Sequence, residues 1–240
     1  MSGLRQLAER SLRKFARPVY RIMQHCSGQR LVKRFVTAEE RFKHIYETNH
    51  WKEAESVSGP GSTLEQTEPL RRLLPELFRE LHAGKLLDVP CGDFHWMQHT
   101  DLSGVRYIGG DLVGDLIKRN QAKYLRDGVE FRKIDLVNDK LPSADVILCR
   151  DCLVHLSFAD AQLALSNIVR SDAKWLLTTN FPGVTCNDDI VTGQWRPINL
   201  RLSPFNLPEP KKTINENCTE AEFVDKTLSL WEVQSLKQII

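Results

Sequence analysis

Three acidic residues follow three successive short apolar runs at nearly constant spacing, and this pattern constrains the fold more than any other feature of the chain. Asp88 ends the run that begins at Lys85, Asp111 lies 23 residues further on, and Asp135 follows after another 24. Segments with helical periodicity separate these runs. Strands that alternate with helices form right-handed crossovers and a parallel sheet covered on both faces. The three acids are therefore expected together at the carboxyl edge of the sheet, where such proteins bind ligands.

Apolar periodicity predicts five strands and three helices in this part of the chain. The predicted strands are Lys85–Val89, Arg106–Ile108, Val129–Ile134, Asp145–Cys149 and Lys174–Thr179, and the predicted helices are Leu64–Leu81, Val113–Leu125 and Phe158–Val169. Two late strands are predicted at Ile198–Leu202 and Thr227–Val233. The 240 residues suit one domain with an extension. We expect the extension at residues 1–50 and the domain at residues 51–240.

The turn after the first strand indicates what kind of ligand the sheet binds. It contains one glycine, Gly92, whereas a dinucleotide-binding fingerprint has three. Asp93 lies where a pyrophosphate would meet a helix N-terminus, and its charge would repel phosphate. An acid at the next strand end is placed to accept hydrogen bonds from ribose hydroxyls. These features favour an adenosine without phosphates that carries a cationic or zwitterionic tail; the alternative is that the acids only cap helices and turns.

Four segments occur in the order and register of a known family: Leu86–Gly92, Ile108–Leu112, Ile134–Leu136 and Ile147–Asp151. Over roughly residues 56 to 231 the chain resembles the class I S-adenosylmethionine-dependent methyltransferases. The resemblance implies an α/β fold with a doubly wound, Rossmann-like sheet of seven strands, the last one antiparallel, and S-adenosylmethionine as the cofactor. Together with a glycine-rich turn at Ser58–Ser62, it assigns cofactor binding to Asp88, Pro90, Cys91, Gly92, Asp111, Leu112, Asp135, Leu136, Arg150 and Ser62.

The exit of the fourth strand carries the candidate catalytic residues. His155 is a candidate general base, and Asp151 is a candidate base or a group that orients the base. The alternative for His155 is a structural role at the start of a helix. Cys149 and Cys152 form a single pair whose strand-end position suits neither zinc nor redox chemistry, and we expect no metal site.

The segment after the fifth strand is the candidate acceptor site. Asn180, Asp188, Trp195 and Arg196 could bind a polar acceptor, with Trp195 stacking on a sugar or another ring; the alternative is a surface loop with a buried tryptophan. The strand-four exit lacks the pattern common in amino-group methylases, which favours oxygen. The sequence therefore predicts methyl transfer to a small or medium polar acceptor, including a glycan or a lipid-linked substrate. The alternatives are a non-catalytic S-adenosylmethionine-binding module and a nicotinamide oxidoreductase.

The N-terminal segment is strongly basic. Residues 1–36 carry nine Lys or Arg and one acid, so the other 204 residues carry a net charge of −6. Apolar residues from Leu4 to Ile22 recur at helical spacing, which predicts a basic amphipathic helix interrupted at Pro18. It could lie on an anionic membrane surface, be a transit peptide, or pack on the body; nucleic-acid binding is disfavoured because no binding motif accompanies the charge. Six scattered cysteines and no secretory signal favour the cytoplasm, with peripheral membrane contact as a hypothesis.

Overall fold

The computed structural model describes residues 17–240, with the side chains of residues 17–21 and 24 outside that description. Helix α1 spans Arg17–Arg34 and includes Pro18. The part of the predicted basic helix before residue 17 lies outside the described residues. Helix α2 (Ala38–Glu47) begins with a capping box, in which Thr37 and Glu40 each accept a backbone N–H of the other.

The remaining elements alternate as the sequence predicts, with boundaries that differ by a few residues. They are α3 (Glu68–Glu80), β1 (Lys85–Asp88), β2 (Arg106–Asp111), α4 (Gly114–Tyr124), β3 (Val129–Lys133), β4 (Val146–Cys149), α5 (Phe158–Arg170), β5 (Trp175–Asn180), β6 (Lys212–Asn215), β7 (Thr227–Glu232) and α6 (Val233–Leu236). The glycine-rich turn Pro60–Ser62 forms a single 3₁₀ turn, and α3 starts only at Glu68. The turn therefore does not lead directly into the helix N-terminus.

The seven strands form one sheet in the order β3-β2-β1-β4-β5-β7-β6. The first five strands are parallel, whereas β7 runs antiparallel to both of its neighbours. The predicted seven-stranded sheet with an antiparallel last strand is confirmed. The strand order reverses between β1 and β4, so the switch point that favours ligand binding lies at their carboxyl ends.

Helices cover both faces of this sheet. Leu87 and Ile147 point to the face covered by α5, and both are completely buried. Leu86 and Val146 point to the opposite face, where α3 and α4 cover them. Because all four side chains come from central parallel strands, these strands are apolar on both faces, as expected of a doubly wound sheet.

One predicted strand is wrong. Residues 198–202 form a turn, closed by the hydrogen bond from Leu202 N to Asn199 O. Apolar and polar residues alternate there, but Ile198, Asn199 and Leu200 are all buried: the two apolar side chains pack into the core, and the Asn199 side chain donates to the carbonyls of Pro182 and Val184. The edge strand β6 lies instead at Lys212–Asn215, a segment too polar to be recognised by its pattern.

Helix α2, which belongs to the predicted extension, packs on the body of the protein. Lys133 pairs with Glu39 at 2.6 Å, and Lys43 pairs with Asp115 at 3.0 Å. Helix α2 therefore lies over the ends of β2 and β3, and the division at residue 50 stays a prediction. No helix within residues 17–240 is long and apolar enough to cross a bilayer.

Candidate active site

A cavity of about 250 Å³ opens at the carboxyl ends of β1, β2, β3 and β4. Its roof consists of α2 and of residues 51–62. We call residues 51–62 the strap. All of the predicted cofactor-binding and catalytic residues line the cavity: Asp88, Pro90, Cys91, Gly92, Asp111, Leu112, Asp135, Leu136, Arg150, Ser62, Asp151 and His155.

Asp111 and Gly92 contact each other on the wall of this cavity. Asp111 is buried, and its carboxylate accepts hydrogen bonds from Gly92 N at 3.2 Å and Val113 N at 2.9 Å. Burial raises the pKa of Asp111 to about 6. Gly92 has a φ of 53°, and a Cβ atom there would lie 2.3 Å from the hydroxyl of Ser58. Only glycine therefore allows the strap to cross so close to this turn.

Asp88 is a second buried carboxylate on the neighbouring strand. The hydroxyl of Tyr107 donates to it at 2.6 Å, and its side chain lines the cavity. Burial raises the pKa of Asp88 to about 7, although the Tyr107 hydrogen bond and the charge of Arg150 act against this shift. Near neutral pH the carboxyl group is therefore poised between its two protonation states.

Asp135 closes the turn that follows β3. Its carboxylate accepts from the backbone N–H groups of Val137 and Asn138 and from the Asn138 side chain. Asp135 therefore does cap a turn, but Oδ2, which accepts only from the Asn138 side chain, has a further lone pair. Both Asp135 and Leu136 remain on the cavity wall.

Asp93 binds the strap. Its carboxylate accepts from the Ser56 hydroxyl at 3.0 Å, from Val57 N at 3.1 Å and from the Ser58 hydroxyl at 3.3 Å. The acid at the position expected to meet a phosphate is thus engaged by donors of the chain itself. Its hydrogen bonds hold the strap across Gly92.

A cluster of four charged residues lies under the strap beside the cavity, and we call it the Arg150 cluster. Arg150 Nη2 binds Glu216 Oε2 at 2.6 Å, and Lys226 Nζ binds Asp151 Oδ2 at 2.7 Å. Cross contacts join Arg150 to Asp151 at 3.3 Å and Lys226 to Glu216 at 3.3 Å. Arg150 also donates to the carbonyl of Gly61, which ties the strap to the cluster. Three members are almost completely buried; Asp151 is partly exposed.

The Arg150 cluster fixes Asp151 as an anion. Burial acts to raise the pKa of Asp151, but the charges of Lys226 and Arg150 outweigh it and hold that pKa well below its usual range. Thr179 completes its environment, because its hydroxyl accepts from Asp151 N and donates to Asp151 Oδ1. A carboxylate held in this way is a poor proton acceptor.

His155 lies at the end of a 3₁₀ turn, Leu153–His155, between β4 and α5. Its Nδ1 is 2.9 Å from the backbone carbonyl of Gln194. Burial lowers the pKa of His155 to about 4, although this hydrogen bond acts in the opposite direction. Because a carbonyl only accepts, neutral His155 carries its proton on Nδ1 and leaves Nε2 as an acceptor. The group that orients His155 is thus the backbone carbonyl of Gln194.

The four predicted acceptor-binding residues do not line this cavity. Arg196 is 2% exposed, and its guanidinium donates to the backbone carbonyls of Asp188, Leu153 and Leu156. Its nitrogens therefore support the loop that carries His155. Asp188 contributes its backbone carbonyl to this arrangement.

Asn180 and Trp195 are likewise used by the fold. Asn180 is 1% exposed and accepts from Leu200 N at 2.8 Å. The Trp195 indole packs edge-on against Phe181 and Phe223, with ring centroids 6.2 and 5.0 Å away. Both side chains are therefore engaged in contacts within the fold.

Sequence reasoning missed two groups of residues at the cavity. Phe42, Ile45, Tyr46 and Trp51 line the roof. The capping box at Thr37 signals the helix that carries the first three, but nothing local shows that its apolar face covers the sheet edge. Glu216 and Lys226 belong to no motif, because they reach Arg150 and Asp151 only through the pairing of β6 and β7.

Among solved structures the chain is similar to methyltransferases. It aligns with the N-methyltransferase NodS from Bradyrhizobium japonicum, solved with S-adenosyl-L-homocysteine, at 14% identity and a TM-score of 0.56, over 78% of this chain and 97% of that one. It aligns with human N-acetylserotonin methyltransferase, solved with S-adenosylmethionine, at 14% identity and a TM-score of 0.53, over 92% and 68%.

A further match, PigF with S-adenosylhomocysteine, has 13% identity and a TM-score of 0.51 over 70% of this chain and 56% of PigF, so the chain spans little more than half of that protein. No protein-family model matches the chain, and the search of curated proteins found no match. At these identities the likeness establishes the fold. The protein has the class I methyltransferase fold.

Removing the charge of Glu216 should destabilise the protein, because Arg150 and Lys226 would stay buried without this partner. We expect Glu216→Gln to lower the free energy of unfolding by about 3–5 kcal/mol. The exposed Glu232→Gln should change it by less than about 0.5 kcal/mol. Urea denaturation at pH 7 measures both, and equal effects of the two substitutions would contradict a structural role for the cluster.

Proposed function

We propose that the protein is an S-adenosylmethionine-dependent methyltransferase that acts on a hydroxyl group. The observation that carries this proposal is the pair of buried carboxylates, Asp88 and Asp111, at adjacent strand ends in one cavity. Burial of carboxylates without a cationic partner is costly. A ligand with an ammonium group and ribose hydroxyls would provide the missing charge and hydrogen bonds.

The residues at the cavity fit this cofactor. Asp111 is suited to accept from ribose hydroxyls, and Gly92 leaves the backbone open to close approach. Asp135 and Leu136 would receive the adenine. Asp88, Ser62 and the backbone of Arg150, with Pro90, Cys91 and Leu112, would surround the remainder, with the ammonium group near Asp88. When bound, S-adenosylmethionine supplies a methyl group that is attached to a positively charged sulfur.

His155 is the proposed general base. Its Nε2 is the unprotonated ring nitrogen, so it can accept the proton of an acceptor hydroxyl within the cavity. The carbonyl of Gln194 fixes the tautomer and the ring orientation. We assign Asp151 a positioning role, because its ion pairs with Lys226 and Arg150 leave it little basicity and fix the segment that leads to His155.

The proposal is tested by calorimetric titration with S-adenosylmethionine and S-adenosylhomocysteine. Asp111→Ala removes a charged hydrogen-bond acceptor, which is worth about 1.5–3 kcal/mol, so binding should weaken about 10–100-fold. The exposed Asp127→Ala is the matched control and should bind like the unaltered protein. If folded protein binds neither compound, the proposal is wrong, and a fluorescence titration with NADH then tests the oxidoreductase alternative.

The affinity for S-adenosylhomocysteine should depend on pH through Asp88. Its pKa of about 7 means that protons compete with the ligand's ammonium group as the pH falls. A single such carboxyl weakens binding by up to about tenfold per pH unit below its pKa. We expect about tenfold weaker binding at pH 6 than at pH 8, and Asp88→Asn should bind weakly with a flatter profile. A dissociation constant that is the same at both pH values in the unaltered protein would contradict this role.

We further propose that α1 contacts an anionic membrane surface. Its outer side exposes Ile22, Met23 and Val32 beside the basic residues Arg30, Lys33 and Arg34. Each basic residue near anionic lipid contributes about 1 kcal/mol. Replacing the three basic residues by Gln should therefore reduce binding to phosphatidylserine-containing vesicles about a hundredfold in a sedimentation assay. The control replaces the exposed Lys140, Lys211 and Lys237 by Gln, and equal effects of the two triple variants would exclude a specific role for α1.

A further inference from the structure

The part of the cavity under α2 is lined differently from the strand ends. Ala38, Phe42, Ile45 and Tyr46 from α2 and Trp51 from the strap form one wall. His155, Leu156, Asp160 and Thr192 line the same part of the cavity. We call this space the roof compartment. None of its residues is among those assigned to the cofactor, and three of its side chains, Phe42, Tyr46 and Trp51, are aromatic.

The roof compartment has a rigid frame. Arg41 is buried, and its guanidinium donates to the carbonyls of Phe35, Val36 and Thr192. The two residues after Thr192 hold the candidate base, since Gly193 N donates to His155 O and the carbonyl of Gln194 lies at His155 Nδ1. The loop of residues 192–194 therefore fixes α2 and His155 relative to each other.

Trp51 lies next to the candidate base His155 in the roof compartment. Its ring centroid is 5.3 Å from that of His155, with the ring planes inclined by 47°. A Cβ atom on Gly59 would lie 3.0 Å from the indole, so the strap packs closely against the Trp51 side chain. The indole is thus held in a fixed position next to His155.

The walls of the roof compartment are mainly apolar and aromatic, and their polar groups are Asp160, Thr192, His155, the Tyr46 hydroxyl and the Trp51 N–H. Asp160 and Thr192 are already joined to each other by a short hydrogen bond. The Thr192 hydroxyl also accepts from Ser157 N. A sugar acceptor would leave several buried hydroxyl groups unpaired, which weakens binding strongly. An aromatic ring would instead pack against Phe42, Tyr46 and Trp51.

We propose that the roof compartment binds an aromatic acceptor that carries a ring hydroxyl, with the ring against Phe42, Tyr46 and Trp51 and the hydroxyl directed to His155 Nε2. This inference rests on the proposed methyltransferase function. The inferred acceptor is aromatic, whereas the sequence favours a small or medium polar acceptor. The hydroxyl proton passes to Nε2, an oxygen–carbon bond forms to the methyl group, and the electron pair of the broken carbon–sulfur bond stays on sulfur. The imidazolium then releases its proton to water.

The weak basicity of His155 agrees with this acceptor class. With a pKa of about 4, the imidazole cannot efficiently deprotonate an aliphatic hydroxyl. An aliphatic hydroxyl resembles water, with a pKa of about 15.7, whereas a phenolic hydroxyl has a pKa of about 10. The proton transfer is therefore far less unfavourable from a phenol.

The experiment uses the full chain saturated with S-adenosylhomocysteine and two probes, 2-naphthol and methyl β-D-glucoside. Titration calorimetry should detect 2-naphthol binding, with at least tenfold weaker binding of methyl β-D-glucoside. Trp51→Leu should weaken 2-naphthol binding at least tenfold, while Trp175→Leu, the same change at the far end of the sheet, should alter it less than twofold. Both variants should bind S-adenosylhomocysteine within threefold of the unaltered protein, which also verifies folding. Phe42→Leu replaces Trp51→Leu if the latter fails this check.

The outcomes separate the two proposals. If the unaltered protein does not bind S-adenosylhomocysteine, the methyltransferase proposal fails, and 2-naphthol titrated alone still tests the compartment. If S-adenosylhomocysteine binds but 2-naphthol does not, or if Trp51→Leu binds 2-naphthol as well as Trp175→Leu, the aromatic-acceptor inference is wrong. Tighter binding of methyl β-D-glucoside than of 2-naphthol would also overturn it.

Discussion

The arrangement of the cavity depends on four charges that are neutralised by one another. Arg150 follows β4, Glu216 follows β6, and Lys226 precedes β7, so their ion pairs join the parallel part of the sheet to its antiparallel edge. Arg150 also binds the carbonyl of Gly61 and thereby fixes the strap. Desolvated charges are tolerated only when each has a close partner. The strap, the switch point of the sheet and the last hairpin are therefore held in one arrangement.

Two carboxylates, Asp88 and Asp111, lie close to the Arg150 cluster but have environments that differ from that of Asp151. Asp88 and Asp111 receive hydrogen bonds but form no direct ion pair with any described residue, and burial raises the pKa of each. Asp151 receives Lys226 and Arg150, and its pKa is lowered. Three acids at neighbouring strand ends are thus separated into two that can respond to a ligand's positive charge and one that remains an anion. Such separation of pKa values within one cleft is characteristic of functional sites.

The sheet could be predicted from the sequence, because its strands are buried on both faces and are separated by clear turn residues. The acids Asp88, Asp111 and Asp135 were also recognisable, since a residue at a parallel strand end must lie at the sheet's ligand-binding edge. The predicted strand at Ile198–Leu202 is wrong because apolar residues alternate with polar ones in this turn as they would in a strand. The roles of Arg196 and Trp51 could not be predicted. Both depend on contacts between segments far apart in sequence, which leave no local periodicity or motif.

The roof of the cavity has a consequence for how a protein of this kind can diversify. Its aromatic side chains all come from one continuous stretch of chain, residues 42–51, that contributes no strand to the sheet. Replacing these side chains alters the shape of the roof compartment without changing Asp88, Gly92 or Asp111. Arg41 keeps the stretch anchored to the loop that orients His155, whatever its other side chains are. In the proposed methyltransferase, acceptor preference can therefore evolve by substitutions in about ten consecutive residues, while the sheet and its carboxyl edge are inherited unchanged.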